Sequence, residues 1–589
     1  MAAFVSCIPY EVFKKISKGI CKMKEKVLIV GGVAGGASAA SRLRRLNEDA
    51  EIIIFERGED ISYANCGMPY YIGGVIQDET LLNIQTPSTM KARLNIDVRV
   101  KSEVINIDTK NQLITIKSKD KIYDESYTKL IISTGAEPKI PKCLNIDVEG
   151  VFTLRSLFDM YKINNYIKNT TPKSAVVIGG GFVGIEMVEN LAGLDVDVTI
   201  IEAGSQILGI LDREMAAEVQ NYIESKEIKL YLNSVVQNIS VIDKPDDERT
   251  LNNEQINKES YKFAVNLGDD IIYTDLVFIS AGVVPESKLA KAAGIECDSM
   301  GCIVVDNKLK TSEDNIYAVG DVVSGTNRII GTRMYSPLAG PANKQGRMVA
   351  DIICGSSKTY NGSQNSAITK IFNMNVAVTG LNENAIKNVG IDYDSIHFMA
   401  ASHSLYYPNA EMLSFKVLFS VKSGQILGAQ ILGGLNVDKY CDIFAMAIHS
   451  KLCAEELMEL DLCYAPPFAN SKSPANIAGF MIDNILTGKI KQIQWSEYPN
   501  INEEKGIILD VRNHEETAMG KLVNSIAIPL HELRERFGEL DINKKLYIHC
   551  QSGLRSYIAC RLLKQKGFDC YNISGGYRWY KIMQVQGLL

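Results

Sequence analysis

The stretch Lys26-Val-Leu-Ile-Val30, followed at once by Gly31-Gly-Val-Ala-Gly-Gly36 and then by Ala37 to Leu46, reads as a buried strand, a glycine turn and a helix. Such a turn lets backbone amides approach a pyrophosphate, and the helix N-terminus adds unpaired N–H groups and a partial positive charge. Gly31, Val33, Ala34, Gly35 and Gly36 are therefore the first set of candidate nucleotide contacts. A second strand over Ile52 to Phe55 ends on Glu56, the spacing at which a carboxylate meets an adenosine ribose. Val33 stands where the middle glycine of such turns usually lies, and a tight turn without a nucleotide is the plain alternative.

The same unit recurs as Ala175-Val-Val-Ile-Gly-Gly-Gly-Phe-Val-Gly184, now with Gly179, Gly181 and Gly184 all in register. Its next strand, Val198 to Ile201, ends on Glu202, whose carboxylate would accept from a free ribose 2′-hydroxyl and repel a 2′-phosphate. That predicts NADH as the favoured nicotinamide cofactor, with NADPH as the alternative. Two such units in one chain mean two nucleotides, most economically a flavin dinucleotide and a nicotinamide dinucleotide. Two further segments, Leu130-Ile-Ile-Ser-Thr-Gly-Ala136 and Thr311-Ser-Glu-Asp-Asn-Ile-Tyr-Ala-Val-Gly-Asp321, resemble hallmarks of two-dinucleotide flavoproteins. The resemblance implies FAD, with Asp321 on its ribityl chain and Thr134 and Gly135 where the chain crosses to the second domain. Asp275 to Pro285 resembles the return strand and turn.

At 589 residues the chain is too long for one hydrophobic core, so several domains are expected. The formal net charge of -6 offers no general attraction to nucleic acid or anionic membrane, and no apolar run of about 18 residues predicts a membrane helix. Thirteen scattered cysteines without a close CxxC pair suggest neither a disulfide framework nor a metal site, which predicts a cytoplasmic protein. Residues 1–23 read as a leader without a clear cleavage site, preceding the first strand.

The chemistry centres on Ser62-Tyr-Ala-Asn-Cys-Gly-Met-Pro-Tyr70. Cys66 has no cysteine nearby in sequence, so it cannot store two electrons as a local disulfide. It would do so as a mixed disulfide with a small thiol, as a persulfide or as a sulfenic acid. A small buried apolar residue is the bland alternative. Over residues 24 to 487 the chain resembles the coenzyme A disulfide reductases and the related CoA-persulfide reductases, with NADH oxidases and peroxidases as cousins. That resemblance implies that Cys66 alternates between thiolate and a mixed disulfide with coenzyme A, with Ser62 and Asn65 on the substrate side. It also implies that Ser38, Arg42 and Arg45 line the coenzyme A path, with Lys472 a further candidate; a solvated basic helix face is the alternative for the arginines. By the same resemblance Tyr406 and Tyr464, in His403-Ser-Leu-Tyr-Tyr-Pro408 and Tyr464-Ala-Pro-Pro-Phe468, reach across a homodimer to the partner's redox cysteine and donate to the departing sulfur, with Tyr407 a weaker candidate. Packing of turns is the alternative role for these tyrosines.

After Thr487 the pattern restarts with Gly506-Ile-Ile-Leu-Asp-Val-Arg512 and Leu546-Tyr-Ile-His-Cys550, which runs into Gln551-Ser-Gly-Leu-Arg-Ser556 and a helix from Tyr557 to Lys566. A sulfur at Cys550 would sit at a helix N-terminus in a ring of backbone amides, which lowers a thiol pKa and stabilises a bound persulfide. Four residues separate Cys550 from Arg555, one fewer than in cysteine phosphatases, so the cradle suits sulfur better than phosphate. The segment resembles rhodanese domains, including Gly575-Gly-Tyr577 and Trp579. Sulfur transfer at Cys550 with Arg555 is expected, an inactive docking module being the alternative.

The expected fold class is α/β: two Rossmann-like dinucleotide-binding domains, an α+β dimerisation domain and a C-terminal α/β rhodanese domain. The expected boundaries are FAD-binding 24–145 and 270–350, NAD-binding 146–269, dimerisation 351–487, a linker at 488–499 and rhodanese 500–589. The expected activity is NADH-driven reduction of CoA disulfide, CoA persulfide or polysulfide, with sulfane-sulfur donors feeding Cys550. An NADH oxidase or peroxidase using a Cys66 sulfenic acid, and a redox-sensing or sulfur-carrier protein of feeble turnover, are the competing readings.

Overall fold

Apolar runs ending in glycine become the central strands of two parallel sheets. A computed structural model of the chain describes residues 25–144, 148–242, 261–501 and 506–589; the expected leader and the 145/146 boundary lie outside the described residues. The first sheet has the order Ile316–Ala318, Lys129–Ile132, Lys26–Val30, Glu51–Phe55, Asp97–Arg99, all parallel. Its edge strand Ile316–Ala318 arrives after the entire second unit, so one domain is interrupted by another. Leu28 and Ile29 are fully buried because helices and a small antiparallel sheet cover both faces, as a parallel sheet requires.

The second sheet repeats the plan with Lys229–Tyr231, Asp197–Ile201, Ser174–Ile178, Leu276–Ile279 and Val151–Phe152. The expected boundary at 269/270 is corrected by this sheet. It cuts the hairpin Phe263–Asn266 and Ile271–Thr274, and Leu276–Ile279 still pairs with the glycine-turn strand. The chain returns to the first domain beyond it, through Val283–Pro285 pairing antiparallel with Ala136–Pro138. The boundary at 350/351 likewise falls inside the helix Ala339–Ile353, which packs against Ala34–Leu46 of the first domain.

The third domain is a five-stranded antiparallel sheet, Ala367–Ile371, Met374–Gly380, Ile426–Gly433, Met412–Ser420, Tyr393–Ala401, covered by Val437–Ser450 and Pro474–Leu486. Fully buried Lys416 ties it to the second domain. Its ammonium lies 2.8 Å from Asp212 and 2.6 Å from Glu383 and also pairs with Glu214. Burial alone would lower the Lys416 pKa, but these carboxylates hold it above its ordinary value.

The C-terminal sheet is parallel, in the order Lys491–Ile493, Cys570–Ile573, Lys545–His549, Gly506–Asp510, Ile526–Ala527. Residues 488–499 are therefore not a linker. They contain this sheet's edge strand, and Trp495 is buried with its indole donating to the Gly576 carbonyl at 3.0 Å. The domain is docked firmly: Gln492 donates to Asp394 (2.9 Å) and Ser395 O (2.8 Å), while Arg578 pairs with Glu218 on the helix Arg213–Glu224. Trp579 is buried in a core cluster that also holds Met215, Ala216 and Val219 of that helix. Among the described residues no helix is long and apolar enough to cross a membrane.

Candidate active sites

Both glycine turns have the same local geometry. Gly31 and Gly179 take φ of +96° and +106°, and their amides donate to Phe55 O and Ile201 O at 2.8 Å each. A Cβ would meet Ser133 O at 2.2 Å in the first turn and Ser280 O at 2.3 Å in the second, so only glycine fits at either place. Val33 caps the first helix with φ of -95°, so the usual middle-glycine position does not take a left-handed φ here. Glu56 is clamped by the amides of Gly32 (2.9 Å) and Gly58 (2.9 Å), and Glu202 by those of Gly180 (2.8 Å) and Gly204 (2.7 Å). Each carboxylate is thereby fixed in place with lone pairs left over for a ribose.

One cavity of about 2210 Å³ is lined by both turns, by Glu56 and Glu202, by Thr134, Gly135 and Asp321, and by Asn65 and Cys66. Its size and its two amide cradles fit a flavin and a nicotinamide dinucleotide. Thr134 donates to Glu286 O at 2.6 Å, and the Glu286 amide donates to Gly135 O at 2.9 Å, which pins the crossing between the domains.

Cys66 lies on the short turn Asn65–Gly67 just before the helix Met68–Ile72, and its side chain is exposed to the cavity rather than packed in a core. Although the thiol is open to the cavity, the surrounding walls strip part of its water and push its pKa up; Glu186 and then Asp321 add to the rise, and Arg155 opposes it. Arg155 was not legible in the sequence. It pairs with Asp321 (3.2 Å) and its carbonyl accepts from Asn65 (3.2 Å), linking the expected flavin ligand to the cysteine turn. Glu186, also unforeseen, follows the second glycine turn by two residues; burial and then Glu189 raise its pKa to about 7.

The residues expected along the coenzyme A path divide. Ser38 donates to Asn343 at 2.5 Å and Arg42 pairs with Asp351 at 2.6 Å, so both face the helix Ala339–Ile353. Arg44 is buried among the carbonyls of Leu94, Asn47, Glu48 and Asn95 and is structural. Arg45 is exposed and donates to Ser41 O (2.9 Å), and Lys472 is exposed as well. Ser62 takes a left-handed φ of 47° and accepts the amides of Ile84 and Gln85 on its carbonyl.

Tyr406 and Tyr464, distant in sequence, meet hydroxyl to hydroxyl at 3.2 Å on the exposed face of the antiparallel domain. That bond pulls Tyr406 below its ordinary phenol pKa and holds Tyr464 above it. Neither lines the large cavity of its own chain. Tyr407 instead packs edge-on against His403, with ring centroids 5.8 Å apart.

In the C-terminal domain Cys550 is buried at the end of the strand Lys545–His549, and its sulfur accepts from the Gly553 amide (3.1 Å) and Ser556 Oγ (3.4 Å). The helix after it starts at Leu554, capped by Gly553 at φ of 105°. Arg555 is held by Glu516, at 2.5 and 2.7 Å, a partner the sequence did not announce.

Two glycine-turn domains sharing one large cavity with a cysteine on its lining define a flavin- and nicotinamide-dependent oxidoreductase, to which a separate C-terminal domain with a buried cysteine is joined. Residues 25–346 match the pyridine nucleotide-disulphide oxidoreductase family, and the chain belongs to it. Residues 366–475 match that family's dimerisation domain and residues 496–583 the rhodanese-like domain. The chain is 31% identical over 458 residues to the coenzyme A disulfide reductase of Staphylococcus haemolyticus, covering 77% of this chain and 98% of that one. Among solved structures it resembles the reduced CoADR-RHD of Bacillus anthracis (41% identity, TM-score 0.90, 96% of this chain and 99% of that one). It also resembles an NAD-dependent persulfide reductase from A. fulgidus (33% identity, TM-score 0.86, 94% of this chain and 100% of that one). The chain is an FAD-dependent disulfide or persulfide reductase that takes its electrons from NAD(P)H.

Proposed function

We propose that the chain reduces CoA disulfide, CoA persulfide or polysulfide with NADH through Cys66, and that Cys550 carries sulfane sulfur. The observation that carries this reading is the placement of an exposed thiol, Cys66, in the cavity lined by both glycine turns, on a turn tied through Asn65 and Arg155 to Asp321. Cys143, the other exposed thiol on that lining, has no such tie. When bound there, FAD and NADH supply the two electrons.

The residues of the chain do the rest. The Cys66 thiolate attacks one sulfur of CoA disulfide, forming a Cys66–S–S–CoA bond and expelling CoA thiolate. Two electrons then cleave that bond, returning Cys66 to thiolate and releasing a second CoA thiolate, which takes up a proton. With CoA persulfide the attack falls on the CoA-bound sulfur and the group expelled is hydrosulfide. Arg155 orients Asp321 and the cysteine turn. Ser62 and Asn65 flank the substrate. Arg45 and Lys472, both exposed, meet the phosphates of coenzyme A more readily than Ser38 and Arg42, which are bound to a neighbouring helix. In a homodimer Tyr406 and Tyr464 of the partner donate to the departing sulfur, their mutual contact at 3.2 Å holding the two hydroxyls together. Glu202 favours NADH, and Glu202→Ala narrows the gap to NADPH.

Parallel assays of NADH oxidation with CoA disulfide, CoA persulfide, polysulfide and oxygen test the reading. Cys66→Ser is expected to stay yellow and to lose acceptor reduction by about a thousandfold or more, the scale of losing a reaction's nucleophile. Undiminished reduction by that variant, or thiol-independent oxygen uptake as the main reaction of the wild type, overturns it.

A further inference from the structure

Arg555 lies beside Cys550, Arg512 and Arg578 line the adjoining cleft with Gln551, and each of the three arginines is paired to a carboxylate. Arg555 gives both terminal nitrogens to Glu516, at 2.5 and 2.7 Å. Arg512 forks onto Asp510 (2.6 Å at the closest) and donates to the carbonyls of Glu516 (3.3 Å) and Gly520 (2.8 Å). Arg578 pairs with Glu218 and donates to Ser414 Oγ at 3.2 Å. The cleft, of about 730 Å³, is walled on one side by Glu516, Gln551 and Tyr577 and on the other by Glu218, Asn221 and Tyr222 of the helix Arg213–Glu224. Lys581 at its rim is exposed and, among the described residues, has no carboxylate partner.

We infer that Glu516 is a specificity-determining residue: by neutralising Arg555 it makes the Cys550 pocket select the persulfide of an organic thiol as sulfur donor and reject thiosulfate. The inference rests on Cys550 being a sulfur-transfer cysteine. In either reaction the Cys550 thiolate attacks the outer sulfur of the donor, a new S–S bond forms, and the donor's own S–S bond breaks with its electron pair leaving on the departing group. An organic persulfide departs as a thiolate with one negative charge at the reacting atom. Thiosulfate departs as sulfite, a dianion that must be held inside the pocket. A dianion needs several N–H donors with unopposed positive charge, and Glu516 takes a hydrogen bond from each terminal nitrogen of Arg555, beside Cys550, and offsets its charge. The cleft meanwhile gives an organic carrier room that a small inorganic ion does not need.

The test follows persulfide formation on Cys550 by mass spectrometry in the holoenzyme, with glutathione persulfide or thiosulfate as the donor. The wild type should load at least about tenfold faster from the persulfide, and Glu516→Gln should shift the persulfide-to-thiosulfate ratio about tenfold toward thiosulfate, the worth of one charge-assisted contact. The double variant Glu516→Gln/Arg555→Ala should lose that gain, which a merely structural role of Glu516 would not produce. Glu218→Gln, which removes the carboxylate that pairs with Arg578 from the opposite wall, should move the ratio in the same direction even if the Glu516 loop rearranges. A wild type that prefers thiosulfate, or a ratio unmoved in both single variants, overturns the inference. Loading from neither donor overturns instead the reading of Cys550 on which it rests.

Discussion

Cys66 and Cys550 occupy opposite electrostatic settings, and the contrast separates what the polypeptide does at each. At Cys550 the chain aims donors at the sulfur: the atom is buried, and the Gly553 amide and Ser556 hydroxyl point at it. At Cys66 the chain opposes the anion. The thiol pKa is pushed up by burial, Glu186 and Asp321, and the nearby guanidinium of Arg155 is already paired with Asp321. The contrast fits the proposed roles: a Cys550 that holds a negatively charged sulfane atom between encounters needs donors aimed at its sulfur, whereas a Cys66 that passes electrons on need be charged only while its cofactor and substrate are beside it.

The contrast breaks most sharply in Cys550→Ser. That variant should reduce free CoA disulfide as the wild type does, while sulfur transfer from a sulfane donor to a thiol falls by about a thousandfold or more. Steady-state rates for the two reactions on one preparation decide it. Loss of CoA disulfide reduction with normal FAD content would show that the two sulfurs act as one site.

A smaller effect is expected from behind the Cys550 loop. Gly576 has φ of +70°, and a Cβ there would lie 2.6 Å from the Cys550 carbonyl. Gly576→Ala should displace the loop and lower sulfur transfer by about a hundredfold, the scale of a misplaced reacting atom, with Cys66 chemistry intact. Transfer at the wild-type rate would mean that the loop does not depend on this backing.

The pH dependence of folding should be sharper for the C-terminal domain than for the rest. His549 is fully buried, with neither ring nitrogen hydrogen-bonded, and burial lowers its pKa to about 4; Asp510 opposes the shift and Arg512 adds to it. The unfolded chain, with an ordinary imidazole near 6.5, binds the proton that the folded domain refuses. Stability from this group is therefore complete above about pH 6.5 and falls by roughly 1.4 kcal/mol per unit as pH drops toward 4. Chemical denaturation followed by the fluorescence of Trp495 and Trp579 should show this slope in the wild type and a flatter one in His549→Phe. Equal slopes would assign the acid sensitivity to other groups.

What was legible in the sequence was local. The glycine turns, the acidic strand ends at Glu56 and Glu202, and the Cys550 loop each lie within one strand–turn–helix unit, so period and spacing reveal them. Partnerships across the fold were hidden: Arg155 with Asp321, Glu516 with Arg555, and the helix Ala339–Ile353 that occupies Ser38 and Arg42. The edge strand Lys491–Ile493 is three residues long, too short to show alternation, and so read as a linker. The Tyr406–Tyr464 contact was not anticipated: family resemblance offered each tyrosine only as a donor across a dimer, and nothing in either turn points to the other.

The smallest effect should come from Glu186, and it sharpens the comparison at the Cys66 end. Its carboxyl has a pKa raised to about 7, so it is largely neutral in mild acid and becomes charged as pH rises through neutrality. Once charged it is the leading electrostatic contribution that holds the Cys66 thiol up, second only to burial. Glu186→Gln removes that charge at every pH while keeping the side chain's size. The midpoint of Cys66 alkylation by iodoacetamide against pH should therefore move down, with the difference from wild type appearing above pH 7 and vanishing below it. At Cys550, which Glu186 does not approach, the profile should stay where it was. An unchanged or raised midpoint at Cys66 would mean that the Glu186 charge is screened from the sulfur, and that burial with Asp321 accounts for the high thiol pKa by itself.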